Sequence, residues 1–68
     1  MEEGKQFYSC QVEKTDNLVC YTSGYDSVGM MFAVVAIDKD DRKVSVLLSK
    51  QDVGRLQAQI AEFLSEYA

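Results

Sequence analysis

The segment Met30–Ile37 reads MMFAVVAI, eight apolar residues in succession. Gly29 comes directly before it, and the charged run Asp38–Arg42 follows it. A length of eight residues between two turns favours a β-strand over a helix. Successive side chains of a strand point to opposite faces, so this strand presents apolar side chains on both sides. We therefore predict a strand that is buried on both faces.

The rest of the chain supplies three more strands around this one. Lys43–Leu48 alternates and predicts a strand after the charged turn, while Gln6–Lys14 alternates near the start of the chain. Thr15–Asn17 is rich in turn formers, and Leu18–Thr22 is rich in β-formers, so these segments predict a hairpin. Residues Met1–Lys5 are polar, and we expect them to be frayed.

A C-terminal helix is the clearest element in the pattern. Ser49 with Asp52 three residues later predicts an N-cap and an acidic first turn. The apolar residues that follow have helical spacing and form one stripe: Val53, Leu56, Ile60, Phe63, Leu64 and Tyr67. A second strip contains small residues only: Gly54, Ala58, Ala61 and Ser65. The pattern predicts a helix of about 18 residues whose apolar stripe faces a core.

These elements define an α+β fold: a four-stranded antiparallel meander followed by one C-terminal amphipathic helix (ββββα) in a single domain, residues 1–68. A chain this short buries only about 60% of the surface of its unfolded form, so its stability is marginal alone. One helix covers one sheet face, and the sequence does not decide which. A second copy is the simplest cover for the other face, so we expect a homodimer.

The predicted dimer interface combines one side of the central strand with the small strip of the helix. Small side chains allow another backbone to approach closely, although they also fit under a neighbouring segment of the same chain. The predicted interface residues are Met31, Val35, Ile37, Gly54, Ala58, Ala61 and Ser65.

Catalytic and metal chemistry has little support in the sequence. The chain contains no histidine, which removes the usual general base and the commonest metal ligand. Asp38, Asp40 and Asp41 resemble the start of a calcium loop, but Lys43 stands where that loop needs glycine, and Ser49 stands in place of its bidentate glutamate. We expect no enzyme activity, no cofactor and no metal.

The segment Ser23–Gly29 has two glycines and no periodicity, which predicts a loop. No Lys-Ser/Thr pair follows, so it is not a P-loop, and the interpretation we favour is a plain connection between strands. The alternative is a binding loop, because tyrosine is enriched at interface hot spots. Two further aromatic residues of the strands belong to the face predicted to lie away from the helix. The predicted partner-contacting residues are Phe7, Tyr21, Tyr25 and Asp26.

The two cysteines, Cys10 and Cys20, are expected to be reduced and buried as small apolar residues. With the turn at Thr15–Asn17, Cys10 would pair with Thr22, and Cys20 with Val12, which places the sulfurs diagonally on one face and too far apart for easy bridging. A two-residue turn would instead place them on opposite faces. The acidic start of the chain does not resemble a signal peptide, and no apolar run is long enough to span a membrane. We expect a cytoplasmic location.

The net charge is −4 and the basic residues are scattered, which disfavours nucleic acid as a partner. By elimination, the sequence predicts a small acidic, non-catalytic protein–protein interaction module, such as an inhibitor, adaptor or assembly factor, that forms a homodimer. Two alternatives remain open. One is a small-molecule binder with its site at the dimer interface near loop 23–29, and the other is an obligate subunit of a larger complex.

Overall fold

The computed structural model describes the backbone of residues 2–25 and 27–67 and the side chains of residues 3–24 and 27–67. Within this part of the chain, four antiparallel strands form one sheet in sequence order, and one helix follows. The elements are β1 (Glu2–Ser9), β2 (Asn17–Tyr25), β3 (Gly29–Ile37), β4 (Lys43–Leu48) and α1 (Lys50–Tyr67). This architecture confirms the predicted ββββα arrangement.

The apolar strand β3 lies inside the sheet and pairs with β2 on one side and β4 on the other. The charged turn after it is held by Asp38, whose Oδ1 accepts the backbone N–H groups of Asp40 and Arg42, both at 2.9 Å. The Asp38 N–H donates to the Arg42 carbonyl at 3.0 Å. Asp41 adopts a left-handed conformation with φ 62°, which aspartate tolerates better than most residues. Both strand predictions here are confirmed.

The first strand differs from its prediction at both ends. It begins at Glu2, so residues 2–5, which were expected to be frayed, belong to the strand, and Glu2 and Glu3 pair with Ser23 and Thr22 of β2. Gly4 has φ +66°, and the register shifts beside it, so a bulge lets the strand start early. The strand stops at Ser9, and Val12 lies in the following loop with 94% of its surface exposed.

The alternating pattern simply continues past the end of the β1 strand, and this coincidence misled the prediction. Residues 10–16 form the connection instead of a three-residue turn. The Cys10 N–H donates to the Asp16 carbonyl at 3.0 Å and closes this loop. Cys20 pairs with Gln6, so the predicted pairings of Cys20 with Val12 and of Cys10 with Thr22 were wrong.

The second strand is longer than predicted, and most of the expected loop 23–29 belongs to strands. Ser23 and Gly24 continue β2 and pair with Met31 and Met30. A Cβ on residue 24 would lie 3.1 Å from the Met30 sulfur, so glycine here permits a close approach across the sheet. The connection shrinks to residues 26–28, and Gly29 adopts φ +81° at its end.

The strand register assigns each side chain to one of two sheet faces. We call them the helix-side face and the far face. On the helix-side face lie Glu3, Gln6, Tyr8, Leu18, Cys20, Thr22, Met30, Phe32, Val34, Ala36, Val44, Val46 and Leu48. On the far face lie Phe7, Ser9, Asn17, Val19, Tyr21, Ser23, Met31, Ala33, Val35, Ile37, Lys43, Ser45 and Leu47.

Helix α1 begins as predicted. The Ser49 hydroxyl accepts the Asp52 N–H at 3.2 Å, which confirms the N-cap. Ser49 also links the helix to β4 directly, with no other residue between the two elements. Among the described elements, the helix backbone comes close to β3 and β4 only.

The helix does not close over the sheet. None of residues 50–67 is buried, and only Val53 and Leu56 in its first half are half-buried, so the prediction of a core-facing stripe was wrong for most of its length. The radius of gyration is 13.5 Å, whereas about 11 Å is typical of a compact chain of this length. The molecule is flat, 38 × 33 × 17 Å, with one layer partly covered.

The buried apolar residues of the described chain are Val19, Ala33 and Val35, and all three lie on the far face. Ala33 is 1% exposed although no second layer covers it. It is small and lies between Tyr21 and Leu47 on the neighbouring strands, so larger side chains shield it within the sheet. The prediction of burial on both faces of β3 therefore holds for the small residues of one face only.

Candidate protein-interaction site

An open apolar cleft separates α1 from the sheet. Its volume is about 650 Å³. The sheet contributes Tyr8, Leu18, Cys20, Phe32 and Val34 from the helix-side face, and the helix contributes Val53, Leu56, Gln57 and Ile60. None of these nine side chains is charged. The structure therefore answers which face the helix lies over: the one that carries Phe32 and Val34.

The apolar stripe of the helix continues beyond its contact with the sheet. Phe63 is 61% exposed and Tyr67 is 72% exposed, and their rings touch each other with centroids 5.2 Å apart. Leu64 beside them is exposed as well. The C-terminal half of α1 thus carries a ridge of large apolar side chains that have no cover in the described chain.

The helix-side face of the sheet has a matching uncovered part. Val44 and Val46 of β4 are exposed, and Tyr8 at the opposite edge is half exposed. Contiguous apolar surface of this extent is unusual on a monomeric protein. It marks either a binding surface or a missing structural neighbour.

The far face contains two of the four predicted partner-contacting residues. Phe7 is 70% exposed, and Tyr21 is half-buried with the Lys5 ammonium 5.4 Å from its ring centroid. That distance allows a cation–π contact. Both side chains lie away from the helix. Tyr25 belongs to β2 by its backbone rather than to a loop, and Asp26 lies outside the described residues.

The predicted dimer residues do not form one surface. Met31, Val35 and Ile37 lie on the far face, and Val35 is already buried by its own neighbours. The small strip of the helix belongs to an element on the other side of the sheet. A Cβ added at Gly54 would meet open space, so no described residue approaches that strip closely at its start.

Both cysteines are free thiols. Cys20 lines the cleft, and its burial raises the pKa of the thiol above its ordinary value. Cys10 lies in the β1–β2 loop, where its sulfur accepts the Glu13 N–H at 3.2 Å. Burial of Cys20 therefore disfavours its thiolate form.

The described residues offer no assembled chemical site. Among the side chains of residues 3–24 and 27–67, no three Cys, Asp or Glu residues gather as a metal site. Asp38 and Asp40 are engaged by Arg42, whose guanidinium lies 2.8 Å and 3.3 Å from their carboxylates. These ion pairs stabilise the β3–β4 turn, so the acidic residues there have a structural role.

No family model, curated protein or solved structure matches this chain. In the described part of the chain, no helix combines the length and apolar character required to cross a lipid bilayer. The fold and the cleft together define the class: a small α+β protein with one thin sheet and large uncovered apolar surfaces.

The sequence did not identify the cleft residues as a site. It assigned them to a closed core because their alternation and helical spacing are those of core residues. The sequence did contain one indication of an open surface, namely more apolar side chains than one helix and one sheet can cover. Strand β3 is apolar on both faces, and the helix adds a further apolar stripe. The angle between helix and sheet decides which part stays open, and sequence periodicity does not encode that angle.

Proposed function

We propose that this protein is a non-catalytic protein–protein interaction module that works as a homodimer. The observation that carries the proposal is the pair of uncovered apolar surfaces, one on each side of a single thin sheet. A dimer contact on the helix side leaves the far face, with Phe7 and Tyr21, as the surface for a different protein. Tyrosine is among the residues enriched at interface hot spots.

The charge supports a partner with a basic surface. The net charge of each copy is −4, so a dimer carries twice that charge and attracts positively charged proteins during encounter. The far face itself contributes few charged side chains. The apolar centre of the far face would supply the contact area. The acidic side chains elsewhere on the dimer would attract the basic partner during encounter.

Affinity capture with a matched pair of variants tests the partner surface. Phe7→Ala removes an aromatic ring from the far face, and Val28→Ala trims a side chain of comparable exposure in the β2–β3 turn. We expect the wild type and Val28→Ala to retain the same specific protein from lysate and Phe7→Ala to lose it. The captured protein is then purified and titrated against all three baits by calorimetry.

Two results would contradict this partner surface. One is the absence of any protein that the wild type retains above background. The other is a purified partner that binds the Phe7→Ala bait with unchanged affinity.

The alternative of a small-molecule site is favoured by the volume of the cleft, which falls within the range of ligand pockets. The structure also offers a smaller space of about 360 Å³ beside Met30 and Met31, nearer to the predicted site. Dodecanoate is a suitable probe for an apolar cleft. A melting temperature that rises steadily with dodecanoate concentration would favour this alternative over the interaction module.

A further inference from the structure

The chain exposes more surface than a compact fold of its mass would, and the apolar cleft between α1 and the sheet is part of that exposed surface. The chain exposes 5659 Å². A compact folded protein of 7.6 kDa exposes roughly 4,300 Å². The excess of roughly 1,400 Å² is more than each partner contributes to an interface of standard size, and it falls in the range of obligate homodimers.

We infer that α1 of a second copy of this chain fills the cleft, and that the exchange is reciprocal about a twofold axis. This inference rests on the proposed homodimer and identifies the surface that forms it. In such a dimer, the Phe63–Tyr67 ridge of each copy packs against the helix-side face of the other, near Leu18 and Val34. The far face remains free on both outer sides.

Self-complementarity argues for an identical copy as the occupant. Each chain carries an apolar helix ridge without a sheet and an apolar sheet surface without a helix. In a twofold dimer, the helix ridge of each copy must fit the sheet surface of the other copy. This chain supplies both surfaces. The nine lining residues include no charged side chain, so two copies of net charge −4 can meet there without burying a charge.

The connection between β4 and α1 argues against closure of the helix on its own sheet. Ser49 alone joins the two elements, and its hydroxyl caps the first turn of the helix at 3.2 Å. A one-residue link leaves little freedom for α1 to swing down over β1 and β2. The open angle is therefore a property of the fold that a partner helix completes.

Isotope-filtered NMR on the wild-type protein tests the inference directly. Labelled and unlabelled chains are mixed, unfolded and refolded together, and nuclear Overhauser contacts between the two kinds of chain are recorded. We expect contacts from the Phe63 and Tyr67 rings of one chain to the methyl groups of Leu18 and Val34 of the other. Ring contacts confined to one chain, or interchain contacts confined to Met31 and Ile37, would overturn it.

A pair of charge-introducing variants gives an independent measurement. Phe63→Glu places a carboxylate on the ridge, and Phe7→Glu places one on the far face at a phenylalanine of similar exposure. We expect Phe63→Glu to weaken dimerisation at least 100-fold in sedimentation equilibrium and Phe7→Glu to leave it unchanged. The opposite ranking would refute the proposed surface. If Phe63→Glu lacks a folded circular dichroism spectrum, the wild-type NMR contacts decide the question.

The two proposals fail separately. Loss of partner capture by every bait, with the interchain NMR contacts present, would remove the interaction function and keep the helix exchange. Partner capture that depends on Phe7, with ring contacts confined to one chain, would remove the helix exchange and keep the interaction function.

Discussion

The turn between β3 and β4 depends on one carboxylate. The Arg42 amide contributes most to lowering the pKa of Asp38, partial desolvation opposes it, and the Asp40 amide and the Arg42 guanidinium add to the lowering. A carboxylate that accepts several hydrogen bonds favours its ionised form in the folded state. The local stability of this hairpin should therefore depend on pH.

Asp38→Asn should destabilise the protein at neutral pH. The difference in free energy of unfolding between wild type and variant should become smaller as the pH falls. The folded-state pKa of Asp38 lies below its ordinary value of 3.8, so its ionised form stabilises the fold above that pH. This contribution is lost as the pH falls through the folded-state pKa. Urea unfolding of wild type and variant between pH 2 and 7 measures the difference. Asp41→Asn, in the same turn, is the control, and a difference for Asp38→Asn that is constant with pH would contradict the account.

Cys20 should react more slowly with iodoacetamide than Cys10. Only the thiolate attacks, and burial raises the pKa of the Cys20 thiol, which reduces the thiolate fraction near neutral pH. The variants Cys10→Ser and Cys20→Ser each leave one thiol, and their alkylation rates at pH 8 are compared by mass spectrometry. Burial in a dimer would slow Cys20 further as protein concentration rises. Equal rates for the two thiols would count against the placement of Cys20 in the cleft.

Elements set by local chemistry were predictable from the sequence. The apolar run defines β3, the charged turn and alternation define β4, and Ser49 defines the start of α1. The end of strand β1 was not predictable in this way, because Cys10 and Val12 continue the alternating pattern into the loop that follows. The two glycines between residues 23 and 29 suggested a longer loop, but Gly24 serves a close approach to Met30 inside the sheet. Register depends on loop length, which alternation alone does not report.

Gly54→Ala tests the helix as an element. Gly54 lies in a helix interior with open space around it, so alanine should raise the free energy of unfolding by about 1 kcal/mol. Gly29→Ala should lower it by about 1 kcal/mol, because Gly29 has φ +81°. Urea unfolding measures both. A destabilised Gly54→Ala variant that also dissociates would restore the small strip of α1 as the dimer contact.

The folded chain is a thin layer rather than a closed core. The helix meets the sheet only near its own start, and the described apolar burial lies on the far face. The sequence correctly indicated too much apolar surface for one helix to cover. It predicted the dimer contact on the far face and the small strip and did not single out the cleft, because alternation and helical spacing do not report how far α1 lifts from the sheet.

The mass of the wild-type protein in solution is the most direct test of the claim that a second copy completes the fold. One chain has a mass of 7.6 kDa. Sedimentation equilibrium at micromolar concentration should give twice that mass. A single-chain mass that persists across the concentration range, with a cooperative unfolding transition, would contradict the claim.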